Sequence, residues 1–233
     1  MEKYGNYISG NNEFVEVYWD CDPCNPRRDW DEAGHFYTWQ RSYISPDEDA
    51  PDLEELCEDF GVDFWDEPNP LLALVKAINE SGGVALPVSA YDHSGVTYSV
   101  GSPTQFPDWQ WDAGYVGIIY ADKDEFHKEW GQFDYESDEA AREAARRCLT
   151  GCVETYDQWA RGEVQGFVAY DACGNETDSC WGFFGGDPGE NGIADEFGGL
   201  TETGLDLYEW VEEMRNDPEN MLGTTALSED YAA

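Results

Sequence analysis

Three sets of residues in this chain have types and spacings that could do chemistry. The first is Asp92-His93 together with Cys180. A histidine oriented by a carboxylate can take the proton of a cysteine thiol and leave a thiolate nucleophile, as in thiol-dependent enzymes. The chain has only 3 histidines, so His93 is readily singled out, yet no nucleophile-elbow or cysteine-protease context surrounds Cys180. A turn histidine bonded to nearby backbone is the plainer reading. The second set is the thiols: Cys21-x-x-Cys24 in a turn and Cys148-x-x-x-Cys152 on one helical face could together supply four thiolates to zinc. The second spacing departs from structural zinc modules, and Cys173 and Cys180 merely flank a hairpin turn. Free or buried thiols are therefore expected, with no metal, no cofactor and no required disulfide.

The third set is the carboxylates Asp47, Glu48, Asp49, Asp52, Glu54, Glu55, Glu58, Asp59, Asp63, Asp66 and Glu67, eleven acids with no basic residue among them in 47–67. Acid–base or metal chemistry by paired carboxylates has no support from spacing, because 51 acidic residues produce every spacing by chance. What such a block can do is present a row of negative charge. Helical residues three and four apart, such as Asp52, Glu55 and Asp59, stand about 5–6 Å from one another. B-DNA carries one charge per roughly 1.7 Å of axis over both strands, and a folded acidic row approaches phosphate spacing.

Composition sets the frame. With 12 basic residues against 51 acidic ones, the formal charge of −39 repels nucleic acid and anionic membrane surfaces and makes a basic protein the natural partner. A hydrophobic fraction of 41% with 15% aromatic is enough to build a core, so the charge does not imply disorder. No basic leader precedes an apolar run, and no stretch approaches the roughly 18–20 apolar residues that span a bilayer, so a soluble, cytoplasmic protein is expected. Lys is scarce, 4 against 8 Arg, which is also the bias of a high-salt or GC-rich origin.

The elements that must position these groups follow from periodicity. Residues 151–185 read as a helix end, a stop at Gly162, a strand over 164–170, a turn at Gly174-Asn175 and a returning strand over 179–184. Further strands are predicted at 14–19, 84–91, 96–100 and 115–120, with a tight turn at Tyr91-Asp92-His93-Ser94-Gly95. Helices are predicted at 52–60, from Pro70 to the Gly82-Gly83 stop, at 122–130 and, longest, at 137–159. The expected architecture is α+β: one mainly antiparallel sheet holding 84–91, 96–100, 115–120, 164–170 and 179–184, with helices packed on one face. Residues 1–186 form the core domain with an acidic insertion at about 45–68, and 187–233 an acidic extension with one short helix around 205–214.

Tryptophan recurs beside carboxylate at Trp19-Asp20, Asp29-Trp30-Asp31, Trp65-Asp66, Asp108-Trp109-Gln110-Trp111-Asp112 and Glu209-Trp210. Interleaved acids and aromatics are what would fill a nucleic-acid channel, where cations meet phosphates and stacking platforms meet bases. Core tryptophans flanked by solvated acids produce the same pattern, and both readings stand at this point. The segments Arg28-Asp29-Trp30-Asp31, Tyr91 to Gly95, Asp112-Ala113-Gly114-Tyr115-Val116-Gly117, Val153-Glu154-Thr155-Tyr156-Asp157-Gln158 and Asp178-Ser179-Cys180-Trp181-Gly182-Phe183 resemble a family of uncharacterised proteins carried by phages and mobile elements. The resemblance covers about 15–185 and implies a mobile-element context, in which small acidic proteins often inhibit host defence. It leads to an expected non-enzymatic DNA mimic whose partner is a basic host protein with a nucleic-acid-binding groove, of the restriction or CRISPR kind. Two alternatives remain: a high-salt-adapted viral accessory protein, and a thiol-dependent enzyme using Cys180 and His93.

Overall fold

The computed structural model describes residues 1–40 and 44–216. In chain order it forms strands β1 (Lys3–Ser9) and β2 (Phe14–Trp19), the one-turn helix α1 (Pro26–Asp29), strand β3 (His35–Thr38), helices α2 (Leu53–Asp59) and α3 (Pro70–Ser81), and strands β4 (Val84–Asp92) and β5 (Val96–Val100). A short helix α4 (Trp109–Asp112) leads into β6 (Ala113–Ala121), followed by α5 (Lys123–Glu129) and the long α6 (Asp138–Ala160). The hairpin of β7 (Val164–Tyr170) and β8 (Glu176–Phe184) comes next, then α7 (Ile193–Glu196), β9 (Leu200–Glu202) and α8 (Leu207–Asn216).

Local chemistry sets the helix ends. Asn69 accepts the Leu72 N–H at 3.2 Å just ahead of Pro70, Asp122 and Glu125 form a reciprocal capping box, and Ser137 Oγ accepts the Ala140 N–H at 3.1 Å. Helix α3 stops at Gly82, whose φ of 105° is open to glycine at little strain.

The chain divides into two compact units, Cys24–Arg161 and a second built from Met1–Pro23 with Gly162–Ala233. In the first, a four-stranded antiparallel sheet of order β3-β6-β4-β5 is covered on both faces. On one face Phe36, Val84, Val88 and Ile119 pack with Phe126 of α5 and with Ala145, Leu149, Val153 and Tyr156 of α6. On the other, Tyr37, Ala85, Ile118 and Tyr120 pack with Leu56 and Cys57 of α2 and Leu71, Leu74 and Ile78 of α3. In the second unit the order is β8-β7-β2-β1-β9, again antiparallel. Val15, Val17, Phe167 and Ala169 meet Ile193 and Phe197 from the α7 segment, while Phe14 packs with Trp210, Val211 and Met214 of α8.

The single sheet predicted from the sequence is thus corrected to two. All five segments are strands, but β4, β5 and β6 belong to one sheet and β7 and β8 to the other. A strand has two hydrogen-bonding edges. Those of β6 are filled by β3 and β4, and those of β7 by β2 and β8. Helices on one face only is corrected as well: Ile118 and Ile119 point to opposite sides of β6 and both are fully buried, so each face of that sheet requires a cover. Of the acidic 187–233 segment, the described part supplies α7, the β9 edge beside β1, and α8; residues 217–233 lie outside the described residues.

Candidate functional site

The acidic block splits into residues built into the fold and residues presented to solvent. Asp47 is 9% exposed and grips Arg27 with two parallel bonds of 2.8 Å, while its Oδ2 also accepts the Phe36 N–H at 2.8 Å. Arg27 further donates to Glu32 and to the carbonyls of Ala33 and Gly34. Burial works against the guanidinium charge, but the Asp47 bond and charge outweigh it and hold the Arg27 pKa above its ordinary value. Asp47 therefore anchors β3 through a buried pair within the chain. Glu48 pairs with Arg28 at 2.9 Å, and Asp49 accepts the Tyr37 hydroxyl at 3.4 Å.

The remaining eight, Asp52, Glu54, Glu55, Glu58, Asp59, Asp63, Asp66 and Glu67, are exposed, and among the described residues none of them forms an ion pair. The amphipathic pattern of α2 explains this. Leu53, Leu56, Cys57 and Phe60 recur at helical spacing and turn toward the sheet, leaving the acids on the opposite side. Trp65 stands among them at 79% exposure, its Nε1–H donated to Glu54 at 2.8 Å and its backbone N–H to Asp63 at 3.1 Å. Of the other tryptophans flanked by acids, Trp30, Trp109 and Trp111 are exposed, Trp19 is half-buried, and Trp210 is a core residue at 1%. The tryptophans flanked by acids therefore divide between surface positions and the core.

Cys180 and His93 are carried by different units. The His93 Nδ1 lies 3.2 Å from Asp112 Oδ2 and its ring stacks on Tyr91 at 5.7 Å, so its carboxylate neighbour is Asp112. Asp92 pairs with Val96 in the β4–β5 ladder. Cys180 lies exposed on β8, its Sγ 3.8 Å from the Trp181 carbonyl. Cys152 is buried, and burial, together with the charges of Glu32 and Cys148, pushes its thiol up to about 12, which keeps it protonated. Among the described residues no group of three or more His, Cys, Asp or Glu could hold a metal ion, and no helix is long and apolar enough to cross a membrane.

Sequence reasoning missed two polar clusters. His35 Nε2 meets Glu125 Oε1 at 2.7 Å, with the Tyr37 hydroxyl 3.1 Å from Nδ1. The Glu125 bond, against burial, holds the His35 pKa above its ordinary value, and His35 in turn holds Glu125 below. In the other unit, nearly buried Glu16 takes bonds from Lys3, from Tyr18 at 2.6 Å and from Tyr170 at 3.2 Å. No spacing signals either cluster, since each joins residues from strands or helices remote in sequence.

Two positions singled out in the sequence, Tyr156-Asp157 and Trp181, have structural partners. Asp157 is buried on α6 and accepts the Tyr98 N–H at 2.6 Å, pinning β5, while Tyr156 packs edge-on against Phe36. Gly166 of β7 lies under the Trp181 ring, where any Cβ would clash. Comparison with protein-family models, with curated proteins and with solved structures finds no match. Fold and site together define an acidic α+β protein that presents exposed carboxylates, in no ion pair among the described residues, on a helix and the loop after it.

Proposed function

We propose that the protein is a non-enzymatic DNA mimic that inhibits a basic, nucleic-acid-binding defence protein of its host. The observation that carries the reading is the α2 surface: five acids from Asp52 to Asp59 and three more from Asp63 to Glu67, all exposed and, among the described residues, in no ion pair. Cations elsewhere among the described residues meet other acids, as in Arg142 with Asp138 and Arg146 with Glu139 and Glu143. Glu54 and Glu58, and Glu55 and Asp59, are i,i+4 neighbours about 5–6 Å apart, a spacing that lysines and arginines arrayed for phosphates can meet. Exposed Trp65 adds a ring on which a target arginine can stack. The mobile-element context implied by the resemblance accords with this role.

The test is inhibition of such a defence protein by variants. Glu54→Lys, Glu55→Lys, Glu58→Lys and Asp59→Lys combined should abolish inhibition, duplex DNA should compete with the wild type, and affinity should fall steeply with salt. Single reversals should do little, because an exposed pair contributes at most about 1 kcal/mol. The double change His93→Ala and Cys180→Ala should leave inhibition intact; the opposite pattern would replace the mimic by a thiol enzyme.

One observation favours adaptation to high salt as a second reading: exposed acids also line the other unit, at Glu176 and Asp178 on β8 and at Glu209 and Glu213 on α8. On that reading the block-reversed variant gains low-salt stability and no target is inhibited.

A further inference from the structure

Helix α3 carries apolar residues at the edge of its core face as well as within it, Leu72 packing there beside Val62. Leu71, Leu74 and Ile78 are buried against the sheet, whereas Leu72 and Ala73 are half-buried. Together with Val62 they floor an open groove of about 640 Å³ between α3 and the loop that follows α2. Its lip carries Asp63, Glu67 and Glu80. Among the described residues the cation lining the groove is Lys76, 3.7 Å from Glu80, and neither Asp63 nor Glu67 forms an ion pair with a described residue. The volume is that of a ligand pocket, roughly 300–1,000 Å³, and the groove adjoins the exposed acids of α2.

An apolar floor beneath an acidic lip selects its occupant by charge and shape. Anions are repelled. An uncharged apolar group would cover the floor and strip water from two carboxylates that gain nothing in return. A long cationic side chain satisfies both parts, since the alkyl stem of arginine or lysine lies on Leu72 and Ala73 while its head reaches the lip. We propose that this groove is the docking site for a basic peptide segment of the partner protein, one of whose arginine or lysine side chains is laid along α3. The inference rests on the mimic reading for the class of partner and adds to it a specific anchor, because row-on-row charge alone gives affinity with little register.

The experiment uses the full chain and fluorescein-labelled octaarginine, with the dissociation constant measured at low and at high salt. Ala73→Trp fills the groove without altering charge. It should weaken binding about tenfold at high salt, where apolar contact persists and the general charge attraction is screened. Asp63→Asn with Glu67→Gln, both exposed, should weaken binding at either salt, and serves should Ala73→Trp disturb the fold by circular dichroism. The Glu54→Lys and Glu55→Lys pair on α2 should weaken binding at low salt alone. Unchanged affinity in folded Ala73→Trp, or in the Asp63/Glu67 variant, overturns the groove while leaving the mimic reading to its own inhibition test. Spermidine bound tightly by the wild type and lost in Ala73→Trp would assign the groove to a polyamine and overturn the peptide as occupant.

Discussion

Arg27 holds Asp47 through two parallel bonds, Nε to Oδ1 and Nη2 to Oδ2, both 2.8 Å, with the guanidinium 3% exposed. The first carboxylate of the acidic 47–67 stretch is thereby joined to a buried cation and to the β3 backbone. Removing it leaves the buried guanidinium to Glu32 and the Ala33 and Gly34 carbonyls. Asp47→Ala should lower unfolding free energy by about 3 kcal/mol or more, the usual effect of breaking a buried pair. Glu55→Gln, an exposed change only eight positions away, should stay within about 0.5 kcal/mol. Urea unfolding followed by tryptophan fluorescence measures both, and equal midpoints would show that the Arg27 fork contributes nothing.

The His35–Glu125 pair makes stability depend on pH in a defined window. His35 has its pKa raised above the ordinary 6.5, so its contribution is complete below pH 6.5 and is lost as pH rises through the raised value. Glu125 is held below the ordinary 4.5, so its contribution is complete above pH 4.5 and is lost as pH falls through the depressed value. The pair acts fully between those limits. The gap in urea midpoint between wild type and His35→Gln should be widest there and narrow well above the raised His35 value. A gap independent of pH would exclude any role for the imidazolium.

The thiols sort by burial. Cys21, Cys24, Cys148, Cys173 and Cys180 are exposed and free, and Cys57 and Cys152 are buried with their pKa values raised first by burial. Mass spectrometry after brief iodoacetamide treatment of the native protein should therefore find the first five alkylated and Cys57 and Cys152 spared, with all seven reacting in denaturant. Rapid native labelling of Cys152 would show that α6 does not seal it.

Much of the local structure is legible in the residues themselves. Asn69-Pro70 and Ser137 start helices, Gly82 and Gly162 end them, and the Val, Ile and Tyr runs form strands where their alternation places them, because these preferences act within a few residues. Pairing does not act that way. Phe14 lies opposite Tyr170, and His35 opposite Tyr120, in ladders that close over long stretches of chain. The four residues of β3 were too short a run to stand out, yet β3 occupies an edge of β6, and β2 occupies an edge of β7, so one expected sheet became two. Charge behaves likewise. The sequence by itself determined that 47–67 is acidic and lacks cations, since that is composition. Tertiary structure alone decided that Asp47 is buried on Arg27 while Glu55 and Glu58 face water, because burial depends on which distant segment covers each side chain.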